Sequence, residues 1–207
     1  YNALSIQTDG GGYNTAIGNF TLDNNGIGDK NVAVGYVALS QNSSGSKNVG
    51  VGYSALMLNS TGGSNTSLGD NSLYSNTSAS YNTAIGAEAL YDAARTADTD
   101  GYNTALGYNA GNTGTNDVTT GNKNTLLGAS TAASAAAGSN QSVIGYGATG
   151  QADNSVVLGN ADVTAVYMAQ DKGATVHAAG ADLSGSAGLI LENDETITNS
   201  TDGTVLI

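Results

Sequence analysis

Asp98-Thr99-Asp100-Gly101 carries the alternating carboxylates of part of a calcium loop. The downstream bidentate Glu is missing, so the segment reads as a solvated turn and no metal site is expected. The chain has no Cys and one His, His177. Neither a thiolate site nor a multi-histidine metal centre can form from that inventory. His177 has no Ser or Asp at triad spacing and reads as a structural or solvent-facing residue. Glu88 and Asp92 are near each other in sequence but form no paired-carboxylate motif. No catalytic residue and no cofactor are expected.

Two inserted loops remain as candidates for recognition. They run from about Asp92 to Gly101 and from Gly111 to Asn122. Their candidate binding residues are Asp92, Arg95, Asp98 and Asp100 on the first, and Asn112, Asn116 and Asp117 on the second. Arg95 is the only Arg of the chain. Loops on a rigid scaffold are the usual place for recognition, and the alternative is a tolerated insertion. Tyr36, Tyr53, Tyr108 and Tyr146 each follow a Gly. That file is read as packing over a neighbouring coil, with carbohydrate stacking as the alternative. Lys30, Lys47 and Lys123 share a slot with Tyr13, Tyr81 and Tyr102, which suggests an exposed edge covered by long stems.

These residues are positioned by a repeat. Asn-x-x-x-Gly recurs with its Asn at Asn14, Asn31, Asn48, Asn65, Asn82, Asn103 and Asn124, then Gln141. The intervals are 17, 17, 17, 17, 21, 21 and 17 residues. The Gly slot is Gly18, Gly35, Gly52, Gly69, Gly86, Gly107, Gly128 and Gly145, always after Ile, Val or Leu. A shorter ninth turn follows at Asn154–Gly159. One residue earlier than the apolar slot the chain is small: Ala16, Ala33, Gly50, Ser67, Ala84 and Ala105. Leu22, Leu39, Leu56, Leu73 and Leu90 form another file, and Asn25, Asn42, Asn59 and Asn76 a second Asn file.

Seventeen residues are too few for two packed helices, and the segment before each Gly is alternating and β-branched. Each repeat is predicted to be one coil of a parallel β-solenoid with two short strands. Coils stack at about 4.8 Å, so eight span roughly 38 Å. The Gly is expected at positive φ, where a Cβ would clash. Stacked Asn side chains are expected to form ladders. Absent Pro agrees, since each coil's N–H groups must donate to the next. The core of one coil is thin: one Ile, Val or Leu, one Leu, and one or two Ala. The Ala and Gly files are therefore expected to pack against neighbouring chains.

Tyr81-Asn82-Thr83-Ala84-Ile85-Gly86-Ala87-Glu88-Ala89-Leu90 and Asn31-Val32-Ala33-Val34-Gly35-Tyr36-Val37-Ala38-Leu39 resemble the repeats of trimeric autotransporter adhesin heads and of phage tail fibres. Gln141-Ser142-Val143-Ile144-Gly145 and Asn154-Ser155-Val156-Val157-Leu158-Gly159 are similar to the short adhesin-head form. The resemblance covers about residues 13–160. It implies a left-handed parallel β-roll built as a homotrimer. The coils of 17 and 21 residues depart from the shortest adhesin repeat, which has about 14.

Composition fits that class. Of 207 residues, 98 are Gly, Asn, Ser or Thr, and only 11% are charged, against roughly 25% in an average domain. Five basic against 17 acidic residues give −12, which repels a phosphate backbone. No apolar run is long enough for a membrane helix. The expected organisation is a repeat β-solenoid over residues 1–160 and a β-rich connector over 161–207. Within the connector, strands are predicted at Val163–Met168, Ala174–Ala178, Gly188–Leu191 and Thr204–Ile207. The apolar C-terminal run and the absence of an initiator Met suggest an excised segment with more fibre following. Ala129–Ala137 is read as a small-residue arc, with a short helix as the alternative.

The expected function is a non-enzymatic, extracellular attachment fibre, an adhesin head or tail-fibre shaft. Its partners would be its own copies and a host-cell or surface ligand, glycan or protein, with no nucleic acid and no membrane insertion. Two alternatives stand beside it. An ice-binding solenoid would use the file Thr15, Thr66, Thr83, Thr104 and Thr125, which Val32 and Val49 interrupt. A polysaccharide-degrading tailspike would need carboxylates clustered in a groove.

Overall fold

The structure is a computed structural model that describes residues 3–4, 12–93 and 100–167. The chain divides into two units, Tyr1–Val166 and Tyr167–Ile207. The first unit is an all-β parallel solenoid. Its nine strands are β1 (Thr15–Ile17), β2 (Val32–Val34), β3 (Val49–Val51), β4 (Thr66–Leu68), β5 (Thr83–Ile85), β6 (Thr104–Leu106), β7 (Thr125–Leu127), β8 (Gln141–Ile144) and β9 (Ser155–Leu158). They form one sheet in chain order, every neighbour parallel. The register follows the sequence repeat: Ala16 pairs with Ala33, Ala33 with Gly50, and Ala84 with Ala105 across a 21-residue interval. The extra four residues are thus expelled from the ladder rather than shifting it. Among the described residues there is no helix, and none long and apolar enough to cross a membrane. Ala129–Ala137 is an arc with a single bridge, Ala132 to Thr149.

The expected second strand of each coil is absent. The arc after each Gly is still bonded coil to coil, as in Leu22 N–H to Ala38 O and Leu39 N–H to Ala55 O, both 3.0 Å. Its backbone cannot be β, because two residues per coil adopt the left-handed conformation. One is the file Val37, Ser54, Asn71, Glu88 and Asn109 at φ 50–56°; the other is Leu22, Leu39, Leu56, Leu73 and Leu90 at φ 49–53°. Left-handed backbone costs a non-glycine residue about 1 kcal/mol or more. Full burial of each Leu contributes about 1.5–3 kcal/mol. Burial therefore wins at every coil.

The Leu file decides which strand residues face inward. A three-residue strand can turn either its middle residue or its two ends to the core. Here the middle one is inside: Ala33, Ser67, Ala84 and Ala105 are fully buried. The interior is filled by Leu side chains, and a Cβ on Gly50 would already lie 3.3 Å from Leu39 Cδ1. Where the Leu slot becomes Gly111 and Ala132, the inward strand residue grows to Leu126 and Val143, both fully buried. The filling comes from the following coil: a Cβ on Gly111 would lie 3.0 Å from Leu126 Cδ1, while the inward strand residue of its own coil is still Ala105.

Two expectations are corrected by this arrangement. The small Ala and Gly files do not meet neighbouring chains; they pack inside their own coil. The apolar residue before Gly is not core. Ile17, Leu68, Leu106, Leu127, Ile144 and Leu158 are 38–61% exposed, and Val34, Val51 and Ile85 are half-buried. They run along the outer face of the sheet beside Thr15, Thr66, Thr83, Thr104 and Thr125.

Two buried Asn ladders hold the coils in register. In the first, the backbone N–H of Asn31 donates to Asn14 Oδ1 at 2.8 Å, and the pattern continues through Asn48, Asn65, Asn82, Asn103, Asn124 and Gln141. In the second, Asn42 Nδ2 donates to Asn25 Oδ1, Asn59 to Asn42 and Asn76 to Asn59. A buried amide is costly unless bonded, so the ladders fix the stacking. The second ladder is buried throughout, Asn25, Asn42, Asn59 and Asn76 all at 0% exposure. The Gly slot from Gly18 to Gly145 lies at φ 125–141° throughout, as expected.

Val163–Tyr167 is in no strand. A turn precedes it, closed by Val163 N–H to Asn160 O at 3.2 Å, and among the described residues no strand pairs with it. The other predicted connector strands, and His177, lie outside the described residues.

Candidate functional site

The second insertion is a closed loop. Val118 N–H bonds back to Gly111 O at 2.9 Å, and the Val118 side chain is buried in the core. Within it, Asp117 Oδ1 accepts from the backbone N–H groups of Thr113 and Gly114, the latter at 2.6 Å. Gly111 and Gly114 supply the left-handed positions, φ 76° and 79°, that turn the chain. The loop is thus fixed by its own carboxylate and stands out from the solenoid wall.

Its foot forms one side of an open cleft of about 460 Å³. Three coils build the rest. The left-handed slot two residues after Gly places Asn71, Glu88 and Asn109 one above another. Three residues further on come Tyr91 and Asn112, then Asp92 and Thr113, and all of these line the cleft. Tyr91 stacks on Tyr74 of the preceding coil, ring centroids 4.9 Å apart and planes 3° from parallel. Asn109 Oδ1 is buried with no hydrogen-bond partner.

The cleft is negative. Burial raises the Asp92 carboxyl above the usual carboxylate range, and the charge of Asp117 adds to it. Burial likewise raises the Tyr91 phenol, with further contributions from Tyr74, Asp92 and Glu88. The charge of Asp117 thus acts on Asp92, and those of Asp92 and Glu88 on Tyr91, through the same space. No three acidic or histidine side chains among the described residues converge as a metal-binding group.

Three sequence candidates come together here: Asp92, Asn112 and Asp117. Asn116 lines an adjoining hollow of about 400 Å³ on the other side of the loop, with Ser130 and Thr149. Asp100 accepts a 2.8 Å hydrogen bond from Tyr102 Oη and is not in the cleft. Arg95 and Asp98 lie outside the described residues. Glu88 and Asp92 share the cleft although no motif links them. Asn71, Tyr91 and Asn109 were missed by sequence reasoning. The signal was present in the files: the slot that reads Phe20, Val37 and Ser54 in early coils becomes Asn71, Glu88 and Asn109 beside the insertion.

The Tyr file packs along the axis at its first two members, while Tyr108 and Tyr146 stand exposed. Tyr36 stacks on Tyr53 at 5.3 Å and meets Phe20 edge-on at 6.0 Å. Tyr81 stacks on Tyr102 at 5.1 Å. The Lys slot is an exposed edge, with Lys30 Nζ 3.1 Å from Asp29 Oδ2. No family model, curated protein or solved structure matches the chain.

Proposed function

We propose that the chain is a non-enzymatic, extracellular attachment fibre, a left-handed β-roll assembled as a homotrimer that presents binding surfaces to a cell or substratum. The observation that carries this reading is the outward aliphatic file from Ile17 to Leu158. It gives one outward Ile, Val or Leu per coil over the whole ladder, exposed in six coils and half-buried in three, with Val32 and Val49 alongside. Covering such half-exposed side chains is worth about 1 kcal/mol each. A continuous apolar stripe of this length marks an interaction surface.

Its period names the occupant. A partner must offer apolar groups every coil, in the same direction and over the same distance. Further copies of the same chain do so automatically. Closed symmetry around a shared axis then covers the stripe on every copy. Binding would be multivalent, with weak sites on identical faces made effective by avidity. The interface runs through the aliphatic file, not through the small-residue files.

Light scattering without denaturant tests the reading. A trimer has three times 20.4 kDa, about 61 kDa. A solution mass of 20.4 kDa would contradict it and leave the outer Thr and aliphatic face open to solvent, the arrangement an ice-binding solenoid requires.

A further inference from the structure

We propose that the cleft between the 112–117 loop and the coils of β4, β5 and β6 binds a non-anionic saccharide unit. This rests on the attachment-fibre reading and names the ligand class for one of its surfaces.

The scaffold itself argues for a site. The slots that line the cleft recur in every coil: two residues past the Gly they hold Phe20, Val37 and Ser54 in the coils of β1 to β3, and five past it Asp23, Ser40 and Met57. Only in the three coils beside the insertion do they become Asn71, Glu88, Asn109, Tyr91 and Asn112. Coil stacking does not need the change, since the earlier coils stack without it. The change places hydrogen-bonding groups around a cleft whose volume falls in the range of small-ligand sites.

The chemistry of the lining selects the ligand. Carboxylates accept only, so the ligand must donate; amides and a threonine hydroxyl do both. A sugar ring supplies vicinal hydroxyls that donate and accept, and an apolar face for an aromatic side chain. Tyr91 offers that side chain, held in place by its stack on Tyr74. Asn109 lines the cleft, and an amide side chain can both donate to and accept from a ligand hydroxyl. Anionic ligands are repelled by Glu88, Asp92 and Asp117. A bare metal ion is poorly served, because the acidic groups do not converge.

The test uses the 207-residue chain. Immobilised glucose-, galactose- and mannose-terminated glycans, glucosamine-terminated glycans, and sialic- and uronic-acid-terminated glycans serve as probes. Binding is expected to a neutral or amino-bearing terminus and not to the acidic ones. Asp92→Asn and Asn112→Ala should each weaken it about tenfold, the loss expected for a hydrogen bond to a charged or buried partner. Their circular dichroism and solution mass should be unchanged. Binding to none of the probes, preference for acidic termini, or binding untouched by both variants would overturn the proposal. So would release of reducing ends that Asp92→Asn abolishes, which would make the cleft a hydrolytic site. A mass of 20.4 kDa with Asp92-dependent glycan binding would instead overturn only the trimeric fibre.

Discussion

A Cβ placed on Gly52 would stand 2.3 Å from the carbonyl oxygen of Gly69, its counterpart one coil later. The same relation holds between Gly18 and Gly35 and between Gly35 and Gly52. Glycine is thus required twice at this slot. Its φ of 141° is outside the range of ordinary L-residues, and the next coil's backbone occupies the Cβ position. Gly52→Ala should destabilise the chain by about 2–4 kcal/mol, since the clash is with backbone and cannot be relieved by a rotamer change. Gly12→Ala, with no atom within 4 Å of its Cβ position, is the control and should be close to neutral in a urea melt.

Asn59 donates from Nδ2 to Asn42 Oδ1 at 2.9 Å and to Gly62 O at 2.9 Å, and accepts from Asn76 at 2.8 Å. Asn59→Ala removes all three bonds and leaves Asn76 Nδ2 with only its bond to Ala79 O in the core. The expected cost is about 2–3 kcal/mol. Gln41→Ala, exposed and outside the left-handed positions, should cost less than about 1 kcal/mol. Equal effects in chemical denaturation would refute the claim that the ladder, rather than general packing, holds coil to coil.

Asp92 makes a signed prediction. Burial, and then the charge of Asp117, raise its folded-state pKa above the ordinary 3.8. Between those two values the folded state holds more protons than the unfolded one, so stability falls as pH rises through the window. Ionised Asp92 therefore opposes folding at neutral pH. Asp92→Asn should raise the melting temperature at pH 7, and the gain should vanish below about pH 3, where both states are protonated. A variant that is less stable at pH 7 would show that the carboxylate is held by attraction instead. A more stable protein that binds saccharide less well is the pattern of a functional group placed at the expense of stability.

Much of this architecture can be read from residue spacing. The files Asn14 to Gln141 and Gly18 to Gly145 fix the coil length, the ladder and the positive φ, because each slot is repeated under the same constraint. The facing of the strands was not legible. Thr15-Ala16-Ile17 satisfies alternation in either phase, and apolar content favours Ile17 as core. The answer depends on Leu22, four residues past the Gly, which fills the interior and leaves room only for Ala16. The missing second strand has the same origin. Leu39 at φ 51° and Val37 at φ 50° are types that sequence rules assign elsewhere; Leu39 is held there by full burial and Val37 by its 3.0 Å backbone bond to Asn19 O of the preceding coil. The cleft was half legible. The inserted loop drew attention to Asp92, Asn112 and Asp117, but Glu88 and Tyr91 come from the coil before it and meet them only through stacking.

The account stands most directly on the outward aliphatic file being covered by other copies of the chain. The native sequence has no Cys, so a single introduced thiol reports its own environment. Leu68→Cys and Leu106→Cys lie on the file, and Lys30→Cys on the exposed edge. Their rates of alkylation in native buffer are the measurement. The account predicts that the first two react more than about tenfold slower than the third, and that the difference disappears on dissociation. Equal rates in native buffer, with Leu106 standing 44% exposed as it does in the single chain, would contradict it.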